Sequence, residues 1–171
     1  MQQEVWLSGP VEGVSPILMP VAHALLQAVA DIEKVIEDLT VEELWTKPNG
    51  APSVGFHLLH IAGSVDRLLT YSLGESLTEN QFAELAGETK AADSASAQML
   101  AANTIKRIQS ALDALRSTPD EILLDKREVG REKLPSNVFG LLFHIAEHTQ
   151  RHVGQAITTA TIVRKNISDK K

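Results

Sequence analysis

The residues best equipped for chemistry in this chain are histidines. Three of the six, His144, His148 and His152, stand four residues apart within SNVFGLLFHIAEHTQRHVGQA, Ser136 to Ala156. A four-residue step on an α-helix turns about 40° beyond a full rotation and rises about 6 Å, so these imidazoles share one stripe. Six histidines scattered at random would give roughly 0.2 pairs at i, i+4, and this stretch has two. One such pair can chelate a metal ion from a single helix, as the HExxH helix of zinc proteases does. No Glu follows the first His of either pair, so that motif is excluded. Two imidazoles leave a site incomplete, and a further ligand must come from another helix.

The rest of the sequence limits what such a site could be. With 171 residues the expectation is one domain with a substantial core. Aromatic residues make up only 4% of the chain, so that core must be built from Leu, Ile, Val and Ala, a palette weighted toward helix. A net charge of −6 without a basic run argues against nucleic-acid binding. The absence of cysteine excludes disulfides, thiolate ligands and a cysteine nucleophile, which leaves His and carboxylates for metal chemistry. The N-terminal MQQEVWLSGPVEG has neither a basic flank nor a long apolar run, and no 18-residue apolar span follows. The expectation is a soluble, cytoplasmic protein without signal peptide or membrane segment.

The positioning elements read as helices. Residues 1–14 are an extended lead-in that docks Trp6 on the body. Helix 1 is expected from Ser15 to Leu39, on the apolar stripe Leu18, Val21, Ala22, Leu25, Leu26, Val29, Ile32, Val35, Ile36 and Leu39. Thr40 to Glu43 is a capping box for a short helix that Pro48, Asn49, Gly50 and Pro52 end. Helix 2 runs from the N-cap Ser53 to Leu73, stopped by Gly74. A polar connection, Glu75 to Asp93, holds a short helix from Glu79 to Ala86. Helix 3 spans Ser94 to Arg116, with Met99, Ala102, Ile105, Ile108, Leu112 and Leu115 on its buried side. Thr118-Pro119 begins one more short turn. Asp125 to Pro135 is a charged loop or a small hairpin, and helix 4 runs from Ser136 to Asn166 with a frayed end. Four long amphipathic helices predict an all-α four-helix bundle with short extra helices in its connections.

An internal echo links two of these helices. SVGFHLLHIAGSVDR (53–67) aligns without gaps on NVFGLLFHIAEHTQR (137–151), with identical Val, Leu, His, Ile, Ala and Arg. Each helix therefore presents a His-bearing face about two turns in. These segments, HLLHIAGSVDRLL and HIAEHTQRHVGQA, resemble the DinB/YfiT-like family of metalloenzymes, and the bundle outline extends the resemblance over nearly the whole chain. In that family a His preceding a hydrophobic-Ala pair on helix 2 joins the two His of an HxxxH motif on helix 4. That motif runs into Gly-Gln, as His152-Val153-Gly154-Gln155 does here. The resemblance implies His60, His148 and His152 as ligands of one divalent metal, in a bundle with up-down-down-up order.

Three neutral imidazoles suit zinc first, then nickel or iron, and leave positions open for water or substrate. Such a site serves a hydrolase, or a transferase using a low-molecular-weight thiol as some family members do, on a small-molecule substrate. The alternatives are a non-catalytic metal-binding or stress-response protein whose ion staples the bundle, and a metal-free helical scaffold. A homodimer is common in the family.

The catalytic candidates are His57, His144, Arg151 and Gln155. His57 reads as a fourth ligand, a substrate-facing base, a brace behind the ligands, or equally a surface histidine. His144 reads as pocket wall, a brace behind the ligands, or plain packing, and His23 as structural or exposed. Arg67 and Arg151 could clamp an anionic substrate or pair with Asp66 or Glu147, and surface salt bridges are the plainer account. Gln155 points along the metal stripe and could bond an imidazole or water. Gly154 is expected where a neighbouring helix comes close. Asp66 and Glu147 could orient imidazole N–H groups or simply face solvent.

Overall fold

Hydroxyl and amide side chains start every α-helix after the first, whose N-cap residue, Leu18, is without a side-chain cap. The computed structural model describes residues 4–90 and 95–168. Its elements are α1 (Met19–Val35), α2 (Val41–Trp45), α3 (Val54–Ser72), α4 (Glu79–Gly87), α5 (Ala97–Ser117), β1 (Lys126–Val129), β2 (Leu134–Asn137) and α6 (Val138–Ser168). Thr40 and Glu43 form the expected capping box of α2, and Ser53 Oγ accepts from Phe56 N at 3.2 Å to begin α3. Thr78 and Gln81 make a second capping box at α4. Ser96 caps α5, and the expected start, Ser94, lies outside the described residues. Asn137 Oδ1 accepts from Gly140 N at 2.7 Å at the head of α6.

Several expected boundaries move for local reasons. Helix α1 begins at Met19, after a turn over residues 16–18, with Pro20 inside its first turn where its missing N–H costs nothing. It ends at Val35, and Asp38 enters the left-handed region at φ 56°. Leu18 and Leu39, just outside the helix, are still buried. The charged stretch after Asp125 forms an antiparallel hairpin, with Lys126 opposite Asn137 and Val129 opposite Leu134. Ser136 and Asn137 belong to its second strand, so α6 starts at Val138 rather than Ser136. Arg127 Nε donates to Ser72 O at 2.7 Å and ties the hairpin to the end of α3.

On α5 the buried stripe is rotated from the expected one. Met99 is 64% exposed and Ala102 is exposed, while Leu100, Ala101, Thr104, Ile108, Ala111, Leu112 and Leu115 face inward. Thr104 is tolerated there because its hydroxyl donates to Leu58 O at 3.0 Å and to Leu100 O at 2.8 Å. Trp6, expected to dock, is exposed. The lead-in is held instead by His23, whose Nε2 lies 2.8 Å from Gly9 O, and by Arg116, which donates to Glu12 O.

The four long helices share one apolar cluster, including Leu25, Ile32, Leu58, Ile61, Ile108, Leu112, Leu142 and Ile145. Helix α3 packs on α6 and α5, and α1 packs on the same two. Contacts fix their directions. Thr159 meets Pro52, His152 meets His57 and His148 meets His60, so α3 and α6 run antiparallel. Gln150 reaches Ala24 O and Arg164 reaches Val35 O, so α1 and α6 run parallel. Leu58 lies by Thr104 and Asp66 by Arg107, which makes α3 and α5 parallel. Among the described residues, no helix is long and apolar enough to cross a membrane.

Two glycines separate close packing from open helix surface. A Cβ at Gly55 would stand 2.5 Å from the Trp45 ring, so α2 rests directly on the α3 backbone. A Cβ at Gly154 would meet nothing within 4 Å, so no neighbouring helix presses there. Gly55→Ala is expected to destabilise by about 1–3 kcal/mol through overpacking. Gly154→Ala is expected to stabilise by about 0.5–1 kcal/mol, the conformational cost of helical glycine. Urea midpoints check both; the same sign for the two would refute the packing described.

Candidate metal centre

Antiparallel contact between α3 and α6 brings four histidines together. His57 and His60 stand one turn apart on α3, and His148 and His152 one turn apart on α6. One ligand-capable atom from each of His60, His148 and His152 lies within 4.8 Å of the other two. His60 Nε2 and His148 Nε2 are 3.3 Å apart. His57 Nδ1 lies 3.0 Å from His152 Nδ1, which leaves Nε2 of His152 as its other nitrogen. Phe56 stacks on the His60 ring at 5.4 Å with planes 10° apart, giving the cluster an apolar wall.

A carboxylate that sequence reasoning missed completes the arrangement. Glu88, in the connection just after α4, places Oε2 2.6 Å from His60 Nδ1 and Oε1 2.7 Å from Arg67 Nη1. Arg67 and Glu88 are both buried. Arg67, for which a surface salt bridge is the plainer expectation, is instead half of an internal pair. No motif marks Glu88, which lies 28 residues after His60 in a polar segment.

The remaining candidates stand in or around this cluster, and the ring of His144 packs edge-on against His148 at 5.4 Å. His57 is 2% exposed, which removes the surface reading. His144, aligned with His60 in the internal echo, is exposed and pairs through Nδ1 with Glu147 at 3.1 Å. Glu147 also accepts from Arg151 Nε at 3.0 Å, so it serves these two exposed groups and not a clustered imidazole. Asp66 accepts from Gln81 and Arg107. Gln155 is exposed, and among the described residues no hydrogen bond ties it to an imidazole. It lines a cavity of about 440 Å³ with His57, Arg151, Gly154, Thr158 and the turn Pro48 to Pro52.

The environment keeps His57, His148 and His152 neutral. Burial, then the neighbouring His60, lowers His57 to about 4. Burial first and the other imidazoles next lower His148 and His152 to about 4 as well. Bonding to Arg151 lowers Glu147. Neutral imidazole is the form that ligates metal. Two nitrogens at about 2.0–2.1 Å from a tetrahedral zinc stand roughly 3.4 Å apart, close to the His60–His148 separation. Among the described residues, His148 Nδ1 is buried without a hydrogen-bond partner. The donor set and spacing fit a divalent ion held by these three residues.

A helical bundle carrying a three-histidine cluster is the class that fold and site define. The family model described as the DinB superfamily matches residues 24–156, and the chain belongs to that superfamily. Among solved structures it is similar to YfiT from Bacillus subtilis, described as a probable metal-dependent hydrolase with an unusual four-helix bundle topology. The two share 17% identity at a TM-score of 0.64, over 94% of this chain and 93% of YfiT. No curated protein sequence matches the chain.

The lowered imidazoles make metal-free stability depend on pH. The unfolded chain protonates these rings near 6.5, whereas the fold keeps three of them neutral down to about 4. Their stabilisation is therefore complete above about pH 6.5 and is lost as pH falls from there toward 4. The urea midpoint of chelator-treated protein is expected to drop between pH 7 and pH 5. A midpoint that holds or rises over that interval contradicts a buried neutral cluster.

Proposed function

We propose that this protein is a metal-dependent enzyme, with His60, His148 and His152 as ligands of one divalent ion and a small molecule as substrate. The observation that carries the reading is the convergence of three imidazoles that, among the described residues, no fourth side chain closes. A stapling site would be sealed by another protein ligand. The two obvious donors are otherwise engaged: His57 on His152, and His144 on Glu147 at the surface.

Bound there, a divalent ion would acidify a water or thiol and polarise a carbonyl in its open positions. The chain's own residues prepare the rest. Glu88 and His57 hold His60 and His152 by their Nδ1 atoms, so these rings turn Nε2 toward the centre. The 440 Å³ cavity beside His57 is large enough for a small substrate. Arg151 and Gln155 on its wall supply polar contacts, and neutral His57, whose Nδ1 accepts the His152 Nδ1–H, presents its Nε2–H as a donor to substrate. Zinc is the first choice of ion, with nickel and iron next. The entering nucleophile is water, a reading supported by the description of YfiT. Transfer to a low-molecular-weight thiol is the alternative outcome, and with no cysteine in the chain that sulfur would arrive on a second substrate.

Wild-type protein reconstituted with zinc or nickel is expected to hold about one ion per chain, measured by elemental analysis. The double variant His148→Ala, His152→Ala should lose the ion while keeping its helical circular dichroism. A screen of small esters and amides, with and without added thiol, should give turnover that a chelator abolishes and the ion restores. Failure of the wild type to bind either metal would refute the proposal. Bound metal with no turnover in either arm favours a stapling role.

A further inference from the structure

We propose that Glu88 is a positioning residue for the metal, clamped by Arg67 so that it fixes the tautomer and direction of His60. The inference rests on the metal-site reading above. Both oxygens of the carboxylate are used. Oε2 lies 2.6 Å from His60 Nδ1 and accepts its N–H, which leaves the lone pair on Nε2, the atom 3.3 Å from His148 Nε2. Oε1 accepts from Arg67 Nη1 at 2.7 Å, and Arg67 Nη2 lies 3.4 Å from Ser64 Oγ.

The pair is built into the helix and not laid over it. A methyl group at Gly63 would collide with both Glu88 Oε1 and Arg67 Nη1. Residues 60, 63, 64 and 67 thus form one face of α3 that seats a carboxylate delivered from the connection after α4. Burial of an Arg–Glu pair is weak as a stabiliser, because desolvation offsets the attraction between the charges. Its geometric effect is specific. Two donors, an imidazole N–H and a guanidinium N–H, meet separate oxygens of one carboxylate, and glutamine puts an NH2 donor in place of one of those acceptors. Carboxylates behind ligating histidines act this way generally, orienting the ring and raising its basicity.

The test measures zinc affinity by competition with a chromophoric chelator in wild type, Glu88→Gln, and the double variant Arg67→Met, Glu88→Gln. Glu128→Gln, in the exposed hairpin, is the control. Glu88→Gln should bind zinc 10–100-fold more weakly, the usual effect of removing such a partner. The double variant removes the stranded guanidinium, so it should regain the wild-type urea midpoint yet stay weak in zinc binding. Wild-type affinity in Glu88→Gln, or in the double variant, would overturn the assignment and leave the pair a purely structural role. Nitrogen-15 NMR of the metal-free wild type at pH 8 gives an answer that needs neither metal nor variant. His60 should be the Nδ1–H tautomer, and an Nε2–H tautomer overturns the proposal even if every variant unfolds. If wild type binds no zinc while His60 is the Nδ1–H tautomer, the metal-site reading fails and the role of Glu88 in orienting His60 stands.

Discussion

The antiparallel seating of α3 on α6 is the constraint on which the rest depends. Leu58 and Ile61 on one helix and Leu142, Ile145 and Ala146 on the other are nearly inaccessible members of one apolar cluster. Burial of such side chains stabilises by about 1.5–3 kcal/mol each, which is enough to hold a single register between two long helices. In that register the turn bearing His57 and His60 meets the turn bearing His148 and His152. Four imidazoles are thereby drawn out of water at once. None of them would gather there for its own sake.

That gathering determines the chemistry available. An imidazolium beside other imidazoles, in partial burial, is disfavoured twice: by lost hydration and by like-charge repulsion. His57, His148 and His152 stay neutral, the form in which an imidazole can bind a metal. Hydrogen bonds at Nδ1 then settle how two of the four rings face, one through Glu88 and one through His57. Among the described residues the most buried ion pair, Arg67 with Glu88, stands directly behind this cluster and not at the bundle surface. Placing an expensive feature there ties the connection after α4 to the geometry of the centre.

Local signals in the chain reported local structure well. The hydroxyls of Thr40 and Ser53 and the stop at Gly74 lie where capping chemistry requires them, because a cap involves only a few neighbouring residues. Period alone was less secure on α5, where Met99 and Ala102 fit an apolar stripe yet face solvent. A stripe's phase is set by the helices it meets, and Thr104 could turn inward once carbonyls on α3 and α5 accepted its hydroxyl. The internal echo does not mark the contact either. It matches His60 with His144, but antiparallel packing sets His60 against His148 and leaves His144 exposed.

From its residues alone the chain determined a helical bundle, the caps that divide it, and a histidine spacing that resembles DinB proteins closely enough to nominate His60, His148 and His152. These follow from periodicity and short-range hydrogen bonding, which are written along the chain. Tertiary structure decided which nominated groups meet. It buried His57 against His152, turned Arg151 and Gln155 to a cavity wall, and brought Glu88 and Arg67 behind His60. Those outcomes depend on the register between helices and on where a connection of no distinctive pattern comes to rest. Both are set by summed packing over many residues, so no single stretch of sequence carries them.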